Sequence, residues 1–247
     1  MEIIGRGFIA RNLATVEDRH PQATVLAAGV SSTGVRAEEA FAREEALVRE
    51  TALRCRREGR RLVFLSSASH ALYGFTDTDT AVGEDAPVNP LSPYGERKLM
   101  LERAVAETGA HWLVLRLSHA VGRWQRPHQL LPSFVGQIRE GSVTLYRDAH
   151  RDLVDVADVV RAIDGLLTED VHGEVVNVAS GVPRPVEELV LGIEQRMAAR
   201  PRHEVVDAAP TMTRVSIGKL CGLLPGMKSV TEPGYLDRML DRYVPYY

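Results

Sequence analysis

The 247-residue chain is 45% hydrophobic and 26% charged with a formal net charge of −3, so it can bury a sizeable core and shows no basic footprint for nucleic acid or an anionic membrane. No apolar run approaches the ~20 residues of a spanning helix, and the N-terminus lacks a signal peptide's basic flank and apolar stretch, so a cytoplasmic location without a membrane partner is expected. Cys55 and Cys221 have no metal-like spacing, so they read as small apolar residues in a reducing compartment, and no metal is expected.

Short apolar runs alternate with amphipathic stretches, which predicts an α/β fold: a Rossmann-like, doubly wound parallel sheet. The first run, Glu2–Ile4, enters Gly5-Arg6-Gly7-Phe8-Ile9-Ala10 and then a helix read over Phe8–Asp18. In this Gly-x-Gly-x-x-Ala spacing Gly5 permits a tight turn and Gly7 lets the backbone approach a pyrophosphate. Ala10 lets helix pack on strand. The free N–H groups of the helix start would face the phosphate charge. A strand over Thr24–Gly29 follows, then a helix over Ala37–Arg57 with Phe41, Leu47, Val48, Ala52 and Cys55 near one stripe. Arg61–Ser66 reads as a strand, Pro93–Glu107 as a helix and Trp112–Leu117 as a strand. From Gly122 to about His150 the chain is richer in Pro, Arg and His, and reads as an irregular insertion or a lobe beside the sheet. A helix over Ala157–Thr168 and a weaker strand over Val175–Val178 return to the sheet. Residues 1–122 with 151–180 are therefore assigned to a dinucleotide-binding core, and 123–150 with 181–247 to a small substrate lobe.

Tyr94-Gly95-Glu96-Arg97-Lys98 places a phenol and an ammonium four residues apart, on one helix face. The chain has 27 arginines and 3 lysines, so a lysine kept here is informative. Arginine's planar fork would not replace a compact point charge that must also reach a hydroxyl.

Ser66-Ser67, Tyr73-Gly74, Glu84, Pro87 and Pro90-Leu91-Ser92-Pro93-Tyr94-Gly95-x-x-Lys98 together resemble the catalytic segment of extended short-chain dehydrogenases/reductases, the NAD-dependent epimerase/dehydratase and keto-sugar reductase group. Arg116-Leu117-Ser118-His119-Ala120-Val121-Gly122 is similar to that family's next strand and substrate turn. Arg151-Asp152-Leu153-Val154-Asp155-Val156-Ala157-Asp158 is similar to its Arg-Asp signature, and Val175–Gly181 to its late strand. The resemblance implies Tyr94 as general acid/base, with Lys98 favouring the phenolate form and binding the nicotinamide ribose. It implies a serine that bonds the reacting oxygen. Counting from the strand end gives Ser67, and counting back from Tyr73-Gly74 gives Ser69; the strand end is the more rigid reference. Gly5, Arg6, Gly7, Phe8, Ile9 and the small residues Ala27, Ala28 and Gly29, followed by Val30, would line the cofactor.

On the substrate side, the resemblance assigns Arg151 to the diphosphate of a nucleotide-sugar, a role suited to its fork of donors. His119 stands where the family has an asparagine, and either replaces that amide's donor or is structural. Gln129 and Tyr146 fall where the family holds the nucleotide base. Only about twenty residues separate Gly7 from Ala27, room for one helix and not for two further crossovers, so two βα units are expected to be missing. Arg6, Arg11 and Arg36 are the candidate cations for a 2′-phosphate, which leans the reading to NADPH over NADH. The expected activity is reduction of a nucleotide-linked keto-deoxysugar of the dTDP-linked type. The alternatives are a nucleotide-sugar epimerase and a non-catalytic binding protein with a degenerate cofactor site. A homodimer would pair through Ala37–Arg57 and Pro93–Glu107.

Overall fold

The computed structural model describes residues 1–29, 38–76 and 80–247; Val30, Arg36 and Ala37 lie outside the described residues. In chain order the elements begin with β1 (Glu2–Ile4), α1 (Phe8–Leu13), β2 (Ala23–Leu26), α2 (Glu38–Glu58), β3 (Arg61–Ser67), α3 (His70–Tyr73), α4 (Pro93–Glu107) and β4 (His111–Leu117). They continue with β5 (His119–Val121), α5 (Leu130–Glu140), β6 (Ser142–Tyr146), β7 (His150–Arg151), β8 (Leu153–Asp155), α6 (Val156–Thr168) and β9 (Glu174–Val178). The last are β10 (Arg184–Pro185), α7 (Val186–Met197), β11 (Arg202–Val206), α8 (Gly218–Leu223) and α9 (Tyr235–Tyr243).

Five strands form one sheet in the order β1-β2-β3-β4-β9, every pair parallel. Because strand side chains alternate between faces, β3 sends Val63 to one side and Leu62 and Phe64 to the other. Val63 joins Leu13 of α1 and Val159, Ile163 and Leu166 of α6. Leu62 and Phe64 join Val48, Ala52 and Cys55 of α2 and Leu101 and Val105 of α4. Helices on both faces explain why the strands are continuously apolar. Among the described residues β1 is an edge of the sheet, with no strand beyond it.

Three local readings are corrected. The helix expected over Phe8–Asp18 is α-helical only to Leu13 and continues as a 3₁₀ segment, Ala14–Arg19. There Thr15 Oγ1 donates to the Asn12 carbonyl at 3.0 Å, the local competition that β-branched hydroxyl residues offer to a helix. The strand expected to Gly29 ends at Leu26, and Gly29 takes φ +138°, outside a strand. The stretch after Gly122 is not irregular: it holds α5 and β6, which pack with α7 and α9 in a separate apolar cluster. Leu131, Val135 and Ile138 form its helical stripe. The C-terminal part divides differently from expectation as well. Val215, Ile217, Leu220, Met227 and Val230 pack in the sheet's own cluster, not in the lobe.

The Arg151–Asp158 motif turns out to tie these parts together. Asp152 accepts hydrogen bonds from Ser180 N (2.8 Å), Ser180 Oγ (2.9 Å) and Gly181 N (2.8 Å). Asp155 caps α6 through Ala157 N (2.8 Å) and accepts from Tyr243 Oη (2.6 Å) and Arg242 Nη1 (2.8 Å), which docks α9.

Candidate active site

The start of α4 is strongly specified. Ser92 is the N-cap and its hydroxyl accepts from Gly95 N at 3.2 Å, while Pro93 occupies the first turn, where its missing N–H costs nothing. Gly95 is required by space, because a Cβ there would lie 1.9 Å from the Ala71 carbonyl oxygen. These contacts fix Tyr94 and, one turn on, Lys98, both of them buried. The Lys98 ammonium lies 5.7 Å from the Tyr94 ring centroid and 5.4 Å from that of Phe64. It donates at 2.8 Å to Glu44 Oε1, a buried carboxylate on α2. The sequence reading missed Glu44.

At the end of β3, Ser67 Oγ donates to Ser69 Oγ at 2.8 Å and accepts from Ser69 N at 3.3 Å. The two candidate serines thus form one hydroxyl pair. Behind them Arg116 bonds Glu102 through Nε (3.0 Å) and Nη2 (2.7 Å) and Tyr73 Oη through Nη1 (2.8 Å). Burial pulls the Arg116 guanidinium down, but Glu102 outweighs it and the group sits above its ordinary value. Ser66 bonds Glu102, and Tyr73 Oη donates to Asn177 Oδ1 at 2.8 Å. Burial raises the Tyr73 phenol. This buried, mutually satisfied network makes the floor under the β3 end rigid.

The glycine turn keeps its expected shape. Gly5 has φ +139°, and a Cβ there would lie 2.5 Å from the Ala27 carbonyl oxygen. Gly7 has open space where its Cβ would be, a cradle that a side chain would fill. It is the N-cap of α1 with no side-chain cap, which leaves backbone donors free. Arg6 and Arg11 are exposed.

A cavity of about 750 Å³ joins these pieces. Phe8, Ile9, Ala27, Ala28 and Gly29 line it together with Ser67, Ser69, Tyr94 and Lys98. His119, Gln129, Tyr146 and Arg151 also line it; Gly5, Arg6 and Gly7 are not part of the lining. Arg151 Nη1 donates to Thr211 Oγ1 at 2.8 Å and to the His150 carbonyl at 2.7 Å, and burial pulls its guanidinium down. Burial first, then the Arg151 charge, push His119 down to about 4, so it is neutral at pH 7. Gln129 Oε1 accepts from Arg126 N at 2.7 Å and Tyr146 is largely exposed. Gln125, His128, Ser133, Phe134 and Gln137 also line the cavity and were missed. Four of these five fall in or beside α5, hidden by the composition of that stretch. Among the described residues no carboxylate lines the cavity, and Lys98 and Arg151 enter its lining as cations, so it suits an anion. Among the described residues no cluster of side chains could hold a metal, and no helix is long and apolar enough to cross a membrane.

A Rossmann-like sheet with a Tyr–Lys pair and a serine at one cavity wall defines the class of the extended short-chain dehydrogenases/reductases. Residues 9–179 match the model of the NAD dependent epimerase/dehydratase family, and the chain belongs to that family. It is 32% identical over 134 residues (51% of this chain, 40% of the other) to a dTDP-glucose 4,6-dehydratase of Streptomyces griseus. It is 28% identical over 151 residues (56% of this chain, 46% of the other) to a dTDP-4-dehydro-6-deoxyglucose reductase of Escherichia coli. The chain thus matches less than half the length of either relative. In fold it is similar to MoeE5 in complex with UDP-glucuronic acid and NAD, with TM-score 0.81 at 21% identity over 100% of this chain and 98% of that one. It is also similar to RMD from Pseudomonas aeruginosa complexed with NADPH, with TM-score 0.75 at 20% identity over 97% and 98%.

Proposed function

We propose that the chain is a cytoplasmic NAD(P)H-dependent reductase of a nucleotide-linked keto-deoxysugar, of the dTDP type, with Tyr94 as the general acid. The observation that carries this reading is the meeting of Tyr94, Lys98 and the Ser67–Ser69 pair in the lining of one cavity that Arg151 and His119 also line. The residues fit a nicotinamide dinucleotide. Gly5 lets the turn pack against the Ala27 backbone, Gly7 leaves open space beside the start of α1, Ala27–Gly29 are small residues in the cavity lining, and Lys98 keeps two N–H donors for ribose hydroxyls. A bound nicotinamide supplies the reducing equivalents. The protein positions the ketone: the serine hydroxyls hydrogen-bond its oxygen, and Tyr94 delivers the proton as that oxygen gains charge. Arg151 holds the diphosphate. Arg6 and Arg11, exposed beside the glycine turn, favour NADPH through its 2′-phosphate.

Elimination is disfavoured, because among the described residues no carboxylate lines the cavity, and Ala68, Ser69 and His70 follow Ser67 where a dehydratase needs an acid/base pair. Reduction is favoured over epimerisation by the sheet edge at β1. An epimerase gains by never releasing its cofactor, and a site short of two βα units favours exchange. Titration with NADPH and NADH, followed by nicotinamide fluorescence, tests the reading. Saturable binding at tens of micromolar is expected, an order of magnitude set by the lost adenosine contacts. No binding of either form would leave the third reading, a non-catalytic protein.

A further inference from the structure

We infer that Glu44 is the counter-charge of the nicotinamide site, a positioning residue that holds Lys98 and sets how the site weighs the oxidised, cationic ring against the reduced, neutral one. The inference rests on the cofactor reading above. The two side chains are 7% (Lys98) and 2% (Glu44) exposed and 2.8 Å apart. Glu44 lies on the stripe of α2 that also buries Phe41 and Val48, where an unpaired acid would be costly. It reaches the ammonium by passing against Gly29, where a Cβ would lie 2.2 Å from Glu44 Oε1. Any side chain at position 29 would push the carboxylate away.

Lys98 lines the cavity and Glu44 does not, so the ligand would meet the ammonium while its partner carboxylate stays outside the lining, behind Gly29. Among the described residues, the other titratable groups lining that space are Tyr94 on α4 and, in the remaining lining, His119, His128, Tyr146 and Arg151. Glu44 is the one carboxylate in ion-pair contact with Lys98 among the described residues. Oxidised and reduced nicotinamides differ by one positive charge on the ring. Beside a Lys98–Glu44 pair of no net charge, that difference is tolerated. Beside an unpaired ammonium, the oxidised form is repelled. The pair therefore lets one site accept the reduced cofactor and still accommodate the oxidised form it becomes.

The test is to measure the Kd of NADPH and of NADP⁺ by calorimetric titration, with thermal melts as a folding control. Glu44→Gln should raise the ratio Kd(NADP⁺)/Kd(NADPH) at least about fivefold, and Glu44→Asp should hold it within about twofold. Lys98→Met leaves the carboxylate alone and should move the ratio the other way. The double variant Glu44→Gln/Lys98→Met, which carries neither charge, should return to within about threefold of wild type; Lys98→Met carries the test if Glu44→Gln does not fold. Equal weakening of both forms in Glu44→Gln or in Lys98→Met, with the ratio unchanged, would reduce Glu44 to a packing role and overturn the inference. If wild type binds neither form, the cofactor reading fails first and takes this one with it.

Discussion

Around Lys98 the ionic groups are buried and paired, Lys98 with Glu44 and Arg116 with Glu102, and a glycine at position 95 fixes the helix start. At Gly5–Gly7 the backbone stands on the edge strand, and the nearby cations, Arg6 and Arg11, are exposed. The two ends of one site thus differ in what holds a ligand there. On the proposed reading, the end at Lys98 is the catalytic one and is preorganised before any ligand arrives, whereas the end at Gly5–Gly7, proposed for the adenosine, offers backbone donors and solvated charge. Such an asymmetry separates chemistry from retention: rate should depend on the first end and cofactor residence on the second.

The largest effect belongs to the catalytic end. Tyr94→Phe should lower turnover about 10²–10⁴-fold with the fold intact, the usual worth of a positioned acid/base. A variant within about threefold of wild type in a steady-state assay would remove Tyr94 from the mechanism. Lys98→Ala should reduce both turnover and cofactor affinity. It should also lower the melting temperature, since stranding a buried partner costs about 3–5 kcal/mol. A change in kinetics with an unchanged melt would mean that Glu44 does not depend on Lys98.

The serine pair sharpens the comparison. Ser67 Oγ is tied to both the N–H and the hydroxyl of Ser69. Ser67→Ala and Ser69→Ala should each lower kcat, and the double variant should cost less than the product of the two if they act as a unit. Full multiplicativity would separate them. At the weak end, Arg6→Ala should raise the Kd for NADPH a few-fold and leave NADH unchanged, as expected for one exposed charge on a phosphate. An equal change for both cofactors would remove the 2′-phosphate from the account.

The smallest effect is on stability. His119 is held near 4 in the folded chain, below its ordinary 6.5, so the unfolded chain takes up a proton the folded one does not. Stability should therefore fall as pH drops from about 6.5 to about 4. His119→Asn should remove that part of the acid loss, so that its melting temperature falls less between pH 7 and pH 5, by about 2–4 °C per kcal/mol recovered. Parallel curves for the two proteins would place the titration elsewhere.

Much of this was legible in the chain. The five sheet strands are all legible as short apolar runs, and α4 spans Pro93–Glu107 as the sequence predicts, with Tyr94 and Lys98 one turn apart. Glu44 was not legible. It lies 54 residues from Lys98, and an acid within an apolar stripe reads from sequence as an ordinary interruption. Only the fold brings α2 across β3 to α4. α5 was masked because prolines, arginines and histidines on either side of it outweigh its stripe in composition. The 3₁₀ continuation after Leu13 depends on a local hydroxyl bond that helical periodicity does not register.

The central claim is that this site performs a net reduction with exchange of the nicotinamide. It is tested most directly by mixing the protein with NADPH and a nucleotide-linked 4-keto-6-deoxysugar, and following nicotinamide absorbance and sugar products together. One NADPH consumed for each ketone reduced, turnover after turnover, is the predicted result. Isomerised sugar formed with catalytic cofactor and no net oxidation of NADPH would contradict it and make the protein an epimerase.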